Sequence, residues 1–401
     1  MKEQSTATGV ESRNLWDQLE EFARAHIQRF IQTLLEEEVT MGLGRGKSVR
    51  REAADAPEGY RNGYGKPRKL ALTCGTITVR RPRVRGLGER FVSRLLPLFK
   101  RRTRAVGELL PQLYLHGLAH GDFELALRGL LGEGAPLSAT SLPRLKAQWH
   151  QEYTDWKRRR LGDLDVVYVW ADGLYVKTGL EDSKAALVVL AVESGQRESK
   201  ESWGAVLRDL RTRGLKPWRC TVADGHLGIW AALAEQQPAA AEQRCWNHTI
   251  INVLDAIATK HQAEATTLLK TMPYAETRLA CERGRDQFSR QYCAVAPKAV
   301  ERLHQDWERL VTCYQFPKDH WRYLRTTNVV ESPFAAVRLR TTAGKRYKRV
   351  ESATALIWKL LQVAEGHFRR LNAPELLPLV YAGVQFVDGV QQPVMPKEAA
   401  A

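Results

Sequence analysis

Nowhere do the 401 residues contain an apolar run approaching the roughly 20 positions that a membrane helix needs. The opening stretch, MKEQSTATGVESRN, has no apolar signal-peptide core. Cysteine is sparse and scattered: Cys74, Cys220, Cys245, Cys281, Cys293 and Cys313 form no CxxC pair and no dense framework. Reduced thiols in a cytoplasm-like compartment are the simplest account, and a disulfide scaffold is excluded. Acid is also in short supply. Against 61 Lys and Arg stand 45 Asp and Glu, a net charge of +16, which favours a polyanionic partner; nucleic acid is the commonest, because neutralised phosphates release condensed counterions.

The imbalance is concentrated in two places. From Arg61 to Arg104 there are fourteen Lys or Arg and one acid, Glu89. From Trp321 to Val350 there are eight and one acid, Glu331. A lone carboxylate among cations is either an ion-pair partner or a group whose negative charge is needed there.

Helical spacing of Leu15, Leu19, Phe22, Phe30 and Leu34 predicts an amphipathic helix over 14–40, with Asn14 and Asp17 as a capping pair. After a Gly-rich connector, Leu70/Leu72 and Ile77/Val79 alternate across Cys74-Gly75, the pattern of a small antiparallel hairpin. Residues 104–160 read as helices broken at His116-Gly117, suiting either a helix-turn-helix or a plain bundle. Then the period changes. DVVYVWAD, LYVKTGL and KAALVVLAVES predict three strands, with a turn at Gly179 to Ser183. A helix ending at Gly214, the strand WRCTVAD and the helix GHLGIWAALAEQQ complete an α/β layer. Residues 247–318 show helical spacing only, helix resumes near Phe334, and QQPVMPKEAAA reads as a loose end.

Asp172 and Asp224 occupy matching places, each after a β-rich run and each before a glycine (Gly173, Gly225). Side chains converge beyond strand ends in open α/β sheets, although an Asp there is also an ordinary turn former. Two strand-end carboxylates in a basic protein suit a hard divalent cation, Mg²⁺ above all, which takes carboxylates together with water and phosphate. A third acid is then expected, and Glu331 is the natural choice. Pro333 suits a first helical position with Ser332 as N-cap, which would leave Glu331 just outside the helix.

DGLYVK at Asp172, ADGHLGIWAAL at Asp224, RCWNHTIINVLD at Cys245 and HWRYLRTTNVVES at His320 together resemble the Mutator-type bacterial insertion-sequence transposases. RNGYGKPRKLALTCGTITVRRPRVRG upstream does so too, and the resemblance extends from about Arg61 to Arg370. It implies a multidomain α/β plus α chain whose ribonuclease-H-like catalytic core carries a helical insertion, preceded by a helical DNA-binding region with a small β-hairpin. The corresponding divisions are an N-terminal helix and connector (1–60), a DNA-binding region (61–160), the first part of the core (161–246), the insertion (247–325), the core's completion with the Glu helix (326–372) and a C-terminal tail (373–401).

The resemblance further implies a DDE triad of Asp172, Asp224 and Glu331 holding two Mg²⁺ ions, for which Mn²⁺ can substitute. Water first cuts at an element's end, and the exposed 3′-hydroxyl then attacks target DNA. Cys245 and His248, with Trp246 between them, belong to a family Cys-x-x-His element; two such residues are half a zinc site, so a structural or DNA-contacting role is expected. Asn328 would cap the helix and orient Glu331. Phosphate contacts are expected from Arg80, Arg81, Arg83, Arg85, Arg101, Arg102, Arg144, Lys146, Arg338, Arg340, Lys345, Arg346, Lys348 and Arg349. The implied partners are terminal inverted repeats and target DNA, bound as a homodimer, in the bacterial cytoplasm at the nucleoid. Two alternatives stay open: a Mg²⁺-dependent nuclease or resolvase of the same fold, and a catalytically silent DNA-binding regulator derived from a transposase.

Overall fold

The computed structural model describes residues 7–51, 58–97, 101–118, 122–132, 141–178, 181–188, 192–195, 199–344 and 347–393. The chain forms two compact units, Met1–Leu145 and Lys146–Ala401.

In the first unit, α1 (Ala7–Leu43) precedes β1 (Tyr60–Tyr64), β2 (Arg68–Leu72), β3 (Gly75–Val79), β4 (Pro82–Arg85), α2 (Arg104–Leu115) and α3 (Phe123–Leu131). The expected hairpin is there, with Leu70 opposite Ile77, and β1 pairs antiparallel with β4 around it. The first helix departs from expectation. It begins at Ala7, so Asn14 and Asp17 lie inside it rather than at its start. Its buried contacts come from Leu35, packed on Leu70, Ile77, Val79 and Leu96, with Ile27 and Ile31 alongside, while Leu19, Phe22 and Phe30 stay exposed. An apolar stripe is buried only where a partner surface faces it, and here the hairpin faces the later turns. Gln28 and Gln32 complete the contact by polar means. Their side chains bond Thr78 N, Arg80 N and Arg80 O at 2.8–3.0 Å, satisfying an edge that would otherwise invite pairing with another chain.

α4 (Ser141–Lys157) leads into the second unit, where Tyr153 and Trp156 pack against Trp358 at ring separations of 5.9 Å. Its aromatic face is therefore taken up by protein.

The second unit is built on β5 (Tyr168–Thr178), β6 (Glu181–Val188), β7 (Val192–Gly195), β8 (Cys220–Ala223) and β9 (Ala241–Arg244), in the spatial order β7-β6-β5-β8-β9. β5 pairs antiparallel with β6 and parallel with β8, which pairs parallel with β9. The strands are thus divided differently from expectation: DVVYVWAD and LYVKTGL fuse into β5, and KAALVVLAVES splits into β6 and β7. Asp172-Gly173 reads locally as a turn, but Val188 and Leu187 on β6 supply ladder partners that keep it extended. Gly179 and Leu180, part of the expected turn, lie outside the described residues.

Alternation along β5 sends Val169 and Ala171 to one face, against α5 (Lys200–Thr212) and α6 (Leu227–Gln236) through Trp203, Leu207, Leu210, Ile229 and Trp230. Tyr168 points to the other face, where the core continues into the helical block. That block comprises α7 (Trp246–Leu254), α8 (Thr259–Thr271), α9 (Arg278–Tyr292), α10 (Pro297–Gln305), α11 (Trp307–Leu310) and α12 (Trp321–Leu324), with no strand among them, as expected. His320 is fully buried, and its Nδ1 lies 2.7 Å from the Tyr168 hydroxyl. The chain then forms α13 (Asn328–Gly344) and α14 (Val350–Glu365). α15 (Leu377–Ala382), β10 (Phe386–Val387) and β11 (Val390–Gln391) follow. Val380 and Phe386 are buried in the same core as the helical block, so most of the segment after residue 373 is docked; 394–401 lie outside the described residues.

The buried amide of Gln243 joins β9 to this block. Its Nε2 donates to Arg244 O and Leu310 O, at 2.8 and 3.0 Å, and its Oε1 accepts from Cys313 N at 2.6 Å. Gln243→Leu strands the Cys313 N–H in a dry core. It is expected to cost about 1–3 kcal/mol in urea unfolding.

Candidate active site

The register of the parallel strands sets the two aspartates side by side. Ala171 on β5 pairs with Ala223 on β8, and Asp172 and Asp224 are the next residue on each. Asp172 therefore sits where β5 leaves its parallel neighbour, within the strand rather than after it. The Asp172 Oδ1 accepts from Gly173 N at 2.8 Å, and Asp224 Oδ1 accepts from His226 N at 3.0 Å in a tight turn. Gly225 takes φ +103°, and a Cβ there would lie 2.4 Å from Arg244 Nε. Glycine is thus required both for its conformation and for the close passage of the Arg244 side chain beside Asp224.

Glu331 arrives on the first turn of α13, which packs along β5. The helix starts at Asn328, so Pro333 lies inside it and Ser332 is no cap. As the sixth helical residue, Pro333 forgoes one bond, that from its own position to Val329 O, and packing of α13 on β5 keeps Glu331 helical. The Asn328 side chain, exposed, accepts from Asn247 Nδ2 at 3.1 Å, and it is Thr327 that donates its hydroxyl to Glu331 Oε1. Thr327 was visible in the TTN stretch, four residues before the acid, and the i,i+4 spacing was the available signal.

The three acids feel one another. Burial, then the charges of Asp224 and Glu331, push the Asp172 carboxyl up to about 6, against the opposing pull of Gly173 N and His248. His248 closes the group: its Nδ1 is 3.8 Å from Glu331 Oε1. The Cys245 sulfur beside it, with Glu331 and Asp224, lifts its imidazole to about 9 although burial opposes this. Cys245 is fully buried at the end of β9. Burial raises its thiol, but hydrogen bonds involving His248 and Thr327 outweigh that and hold it below the ordinary value. Donor atoms of Cys245, His248 and Glu331 lie within 4.8 Å of one another. The sulfur already accepts from Thr327 N at 3.4 Å, and the trio is one ligand short of the usual tetrahedral zinc set. Trp246 is buried beneath, its Nε1 donating to Leu310 O at 2.9 Å.

Of the expected phosphate contacts, Arg80, Arg83, Arg85 and Arg101 are exposed and Arg81 and Arg102 half-buried in the first unit. Burial, then the Arg81 and Arg101 charges, push the nearby Arg68 guanidinium below its usual value, a mark of crowded positive charge. Arg144 and Lys146 are exposed on α4, as are Arg338, Lys348 and Arg349 around α13 and α14. Arg340 departs from expectation: at 3% exposure it faces the protein interior and does not present its guanidinium to a phosphate. Lys345 and Arg346 lie outside the described residues.

Residues 1–370 match the family model described as Transposase, Mutator family. The chain is 40% identical over 296 residues to the transposase for insertion sequence element IS6120 of Mycolicibacterium smegmatis, covering 71% of this chain and 92% of that one. It is likewise 40% identical over 279 residues to the transposase for insertion sequence element IST2 of Acidithiobacillus ferrooxidans, covering 66% and 94%. A more distant relative, the transposase for insertion sequence element ISRM5 of Rhizobium meliloti, is 28% identical over 372 residues, 87% of this chain and 89% of that one.

Proposed function

The chain belongs to the Mutator family of transposases, and from that premise we propose that it moves an insertion sequence by cutting and joining DNA at Asp172, Asp224 and Glu331. The observation that carries this reading is the crowding of three carboxylates at one sheet end, with Asp172 pushed up to about 6. Like charges are gathered at such a cost where a cation is to be held. The donors are oxygens, which suits Mg²⁺, or Mn²⁺ in its place, better than a soft metal. When bound, Mg²⁺ supplies charge stabilisation to an in-line phosphoryl displacement, and two ions are proposed.

The residues divide the remaining work. Asp172, rigid within β5, and Asp224, pinned by its turn, present their oxygens from neighbouring strands. Glu331 closes the set from α13. His248, carrying positive charge beside Glu331, offsets part of the negative charge gathered there. Arg338, Lys348 and Arg349 stand on the same unit as the acids and are suited to grip phosphate, while the crowded arginines around Arg68 suit a second stretch of DNA backbone. A sheet with the first acid on its central strand, the second on the adjacent parallel strand and the third on a helix after a helical block supports the ribonuclease-H-like reading. Terminal inverted repeats as the bound sequence, and a homodimer to bring two ends together, belong to the same proposal.

The deciding experiment supplies pre-cut element ends bearing free 3′-hydroxyls, with plasmid target and Mg²⁺. A transposase of this mechanism joins the ends to the target. Nicking of uncut ends with no joined product would instead identify a nuclease.

A further inference from the structure

We propose that Thr327 is the positioning residue that aims Glu331, and that it takes its own position from the end of β9 through Cys245. The inference rests on the reading of Glu331 as a metal-holding carboxylate and goes beyond it by naming what fixes that carboxylate.

A glutamate on the first turn of a helix has three side-chain torsions and can sweep a wide arc. Here the Thr327 hydroxyl donates to Oε1, which selects one rotamer. Thr327 is itself fully buried and held at two atoms. Its backbone N–H donates to Cys245 Sγ at 3.4 Å, and its hydroxyl oxygen lies 3.3 Å from the same sulfur. A hydroxyl has one proton, and with two acceptors in reach the nearer, charged carboxylate takes it. This is not ordinary helix capping, in which the threonine oxygen accepts from N–H groups of the first turn. The Thr327 carbonyl accepts those bonds instead, from Val330 N and Glu331 N at 2.9 and 3.0 Å.

The sulfur is fixed in turn. Cys245 N donates to Ala223 O at 2.8 Å, and Ala223 immediately precedes Asp224. Hydrogen bonds thus run without a break from the strand bearing the second acid, through Cys245 and Thr327, to the third acid. Next to this path, Trp246 N donates to Arg325 O at 2.9 Å, pinning together the two ends of the helical block. Glu331 is separated from Asp224 by more than a hundred residues, yet a few bonds refer both to the same sheet end.

The test measures Mn²⁺ binding to the full-length protein without DNA, from the loss of the free-ion signal in electron paramagnetic resonance. Thr327→Val keeps the shape and loses the hydroxyl. It is expected to weaken Mn²⁺ binding by about ten-fold or more, the usual effect of removing a group that orients a ligand, with little change in melting temperature in EDTA. Thr327→Ser restores the hydroxyl and is expected to bind as the parent does. Glu331→Gln is run alongside. Binding by Thr327→Val at parental affinity, while Glu331→Gln binds weakly, overturns the positioning role and leaves the metal-site reading standing. Parental affinity in Glu331→Gln sinks that reading itself. Should the valine variant fail to fold, the serine variant decides: folded protein with weak binding means the methyl packing matters and the hydroxyl does not.

Discussion

Asp172→Asn is expected to abolish both cutting and joining, by about 10³-fold or more, as when one member of an interdependent catalytic set is removed. The same substitution should make the metal-free protein more stable. These opposite signs follow from one fact, the cost of holding an ionised carboxylate in a half-buried place beside Asp224 and Glu331. A carboxyl raised to about 6 in the folded state binds its proton more tightly there than in the unfolded chain. Its ionised form therefore destabilises the fold above that pH, and stability returns as pH falls below it. Such a rise costs about 2–3 kcal/mol at neutral pH, which a neutral amide of the same shape largely removes. Melting in EDTA at pH 7.5 should thus show the Asn variant above the parent, and the gap should narrow below pH 6 and close only near pH 4, where the carboxyl is protonated in the unfolded chain as well. Retention of DNA by both proteins at moderate salt would place the loss in chemistry, since the exposed arginines are untouched. Strand transfer by the Asn variant at the parental rate would remove Asp172 from the triad.

Asp306→Ala should be among the most destabilising single changes in the second unit. Arg244 is buried, and its Nη1 is paired with Asp306 Oδ2, both side chains being only 10% exposed. Its Nε has no partner among the described residues, so the buried cation depends heavily on that one carboxylate. Asp306 Oδ1 also accepts from Arg309 Nη1 at 2.8 Å, and Arg309 Nε bonds Glu242 Oε2 at 2.6 Å. Removing one partner of a buried pair leaves an uncompensated charge, which costs about 3–5 kcal/mol; guanidinium unfolding monitored by tryptophan fluorescence reads it directly. Adding Arg244→Met should recover much of the loss, because the apolar replacement no longer needs a counter-charge. Arg244 lies across Gly225, one residue from Asp224, so its release should also lower strand-transfer activity at temperatures where the variant remains folded. Equal unfolding midpoints for parent and Asp306→Ala would mean that water reaches this pair and screens it.

Much of the second unit could be anticipated from local pattern. Asp172 and Asp224 stood out because a β-branched or aromatic run, an acid and a glycine recur in the same order. The helical block was recognisable because its buried residues follow the helical period over long stretches. β9 was not, since AEQR has no β-branched or aromatic residue; what makes it a strand is the open edge of β8 beside it and the fully satisfied Gln243 amide behind it. Pro333 misled for a related reason. A proline tends to mark a helix start, but the five residues of helix before it were already secured by the Thr327 carbonyl and by packing on β5.

Composition and short-range pattern were thus enough to give a strongly basic chain, the α/β layer with its helical block, and three candidate acids, because these depend on residue type and period alone. Only the folded chain decided that Asp172 lies within a strand, that Arg340 turns inward, that the segment after 373 docks, and that Thr327 rather than Asn328 holds Glu331. Each of these depends on which distant backbone or side chain supplies the missing hydrogen bond or covers the apolar face, and no local window of sequence contains that partner.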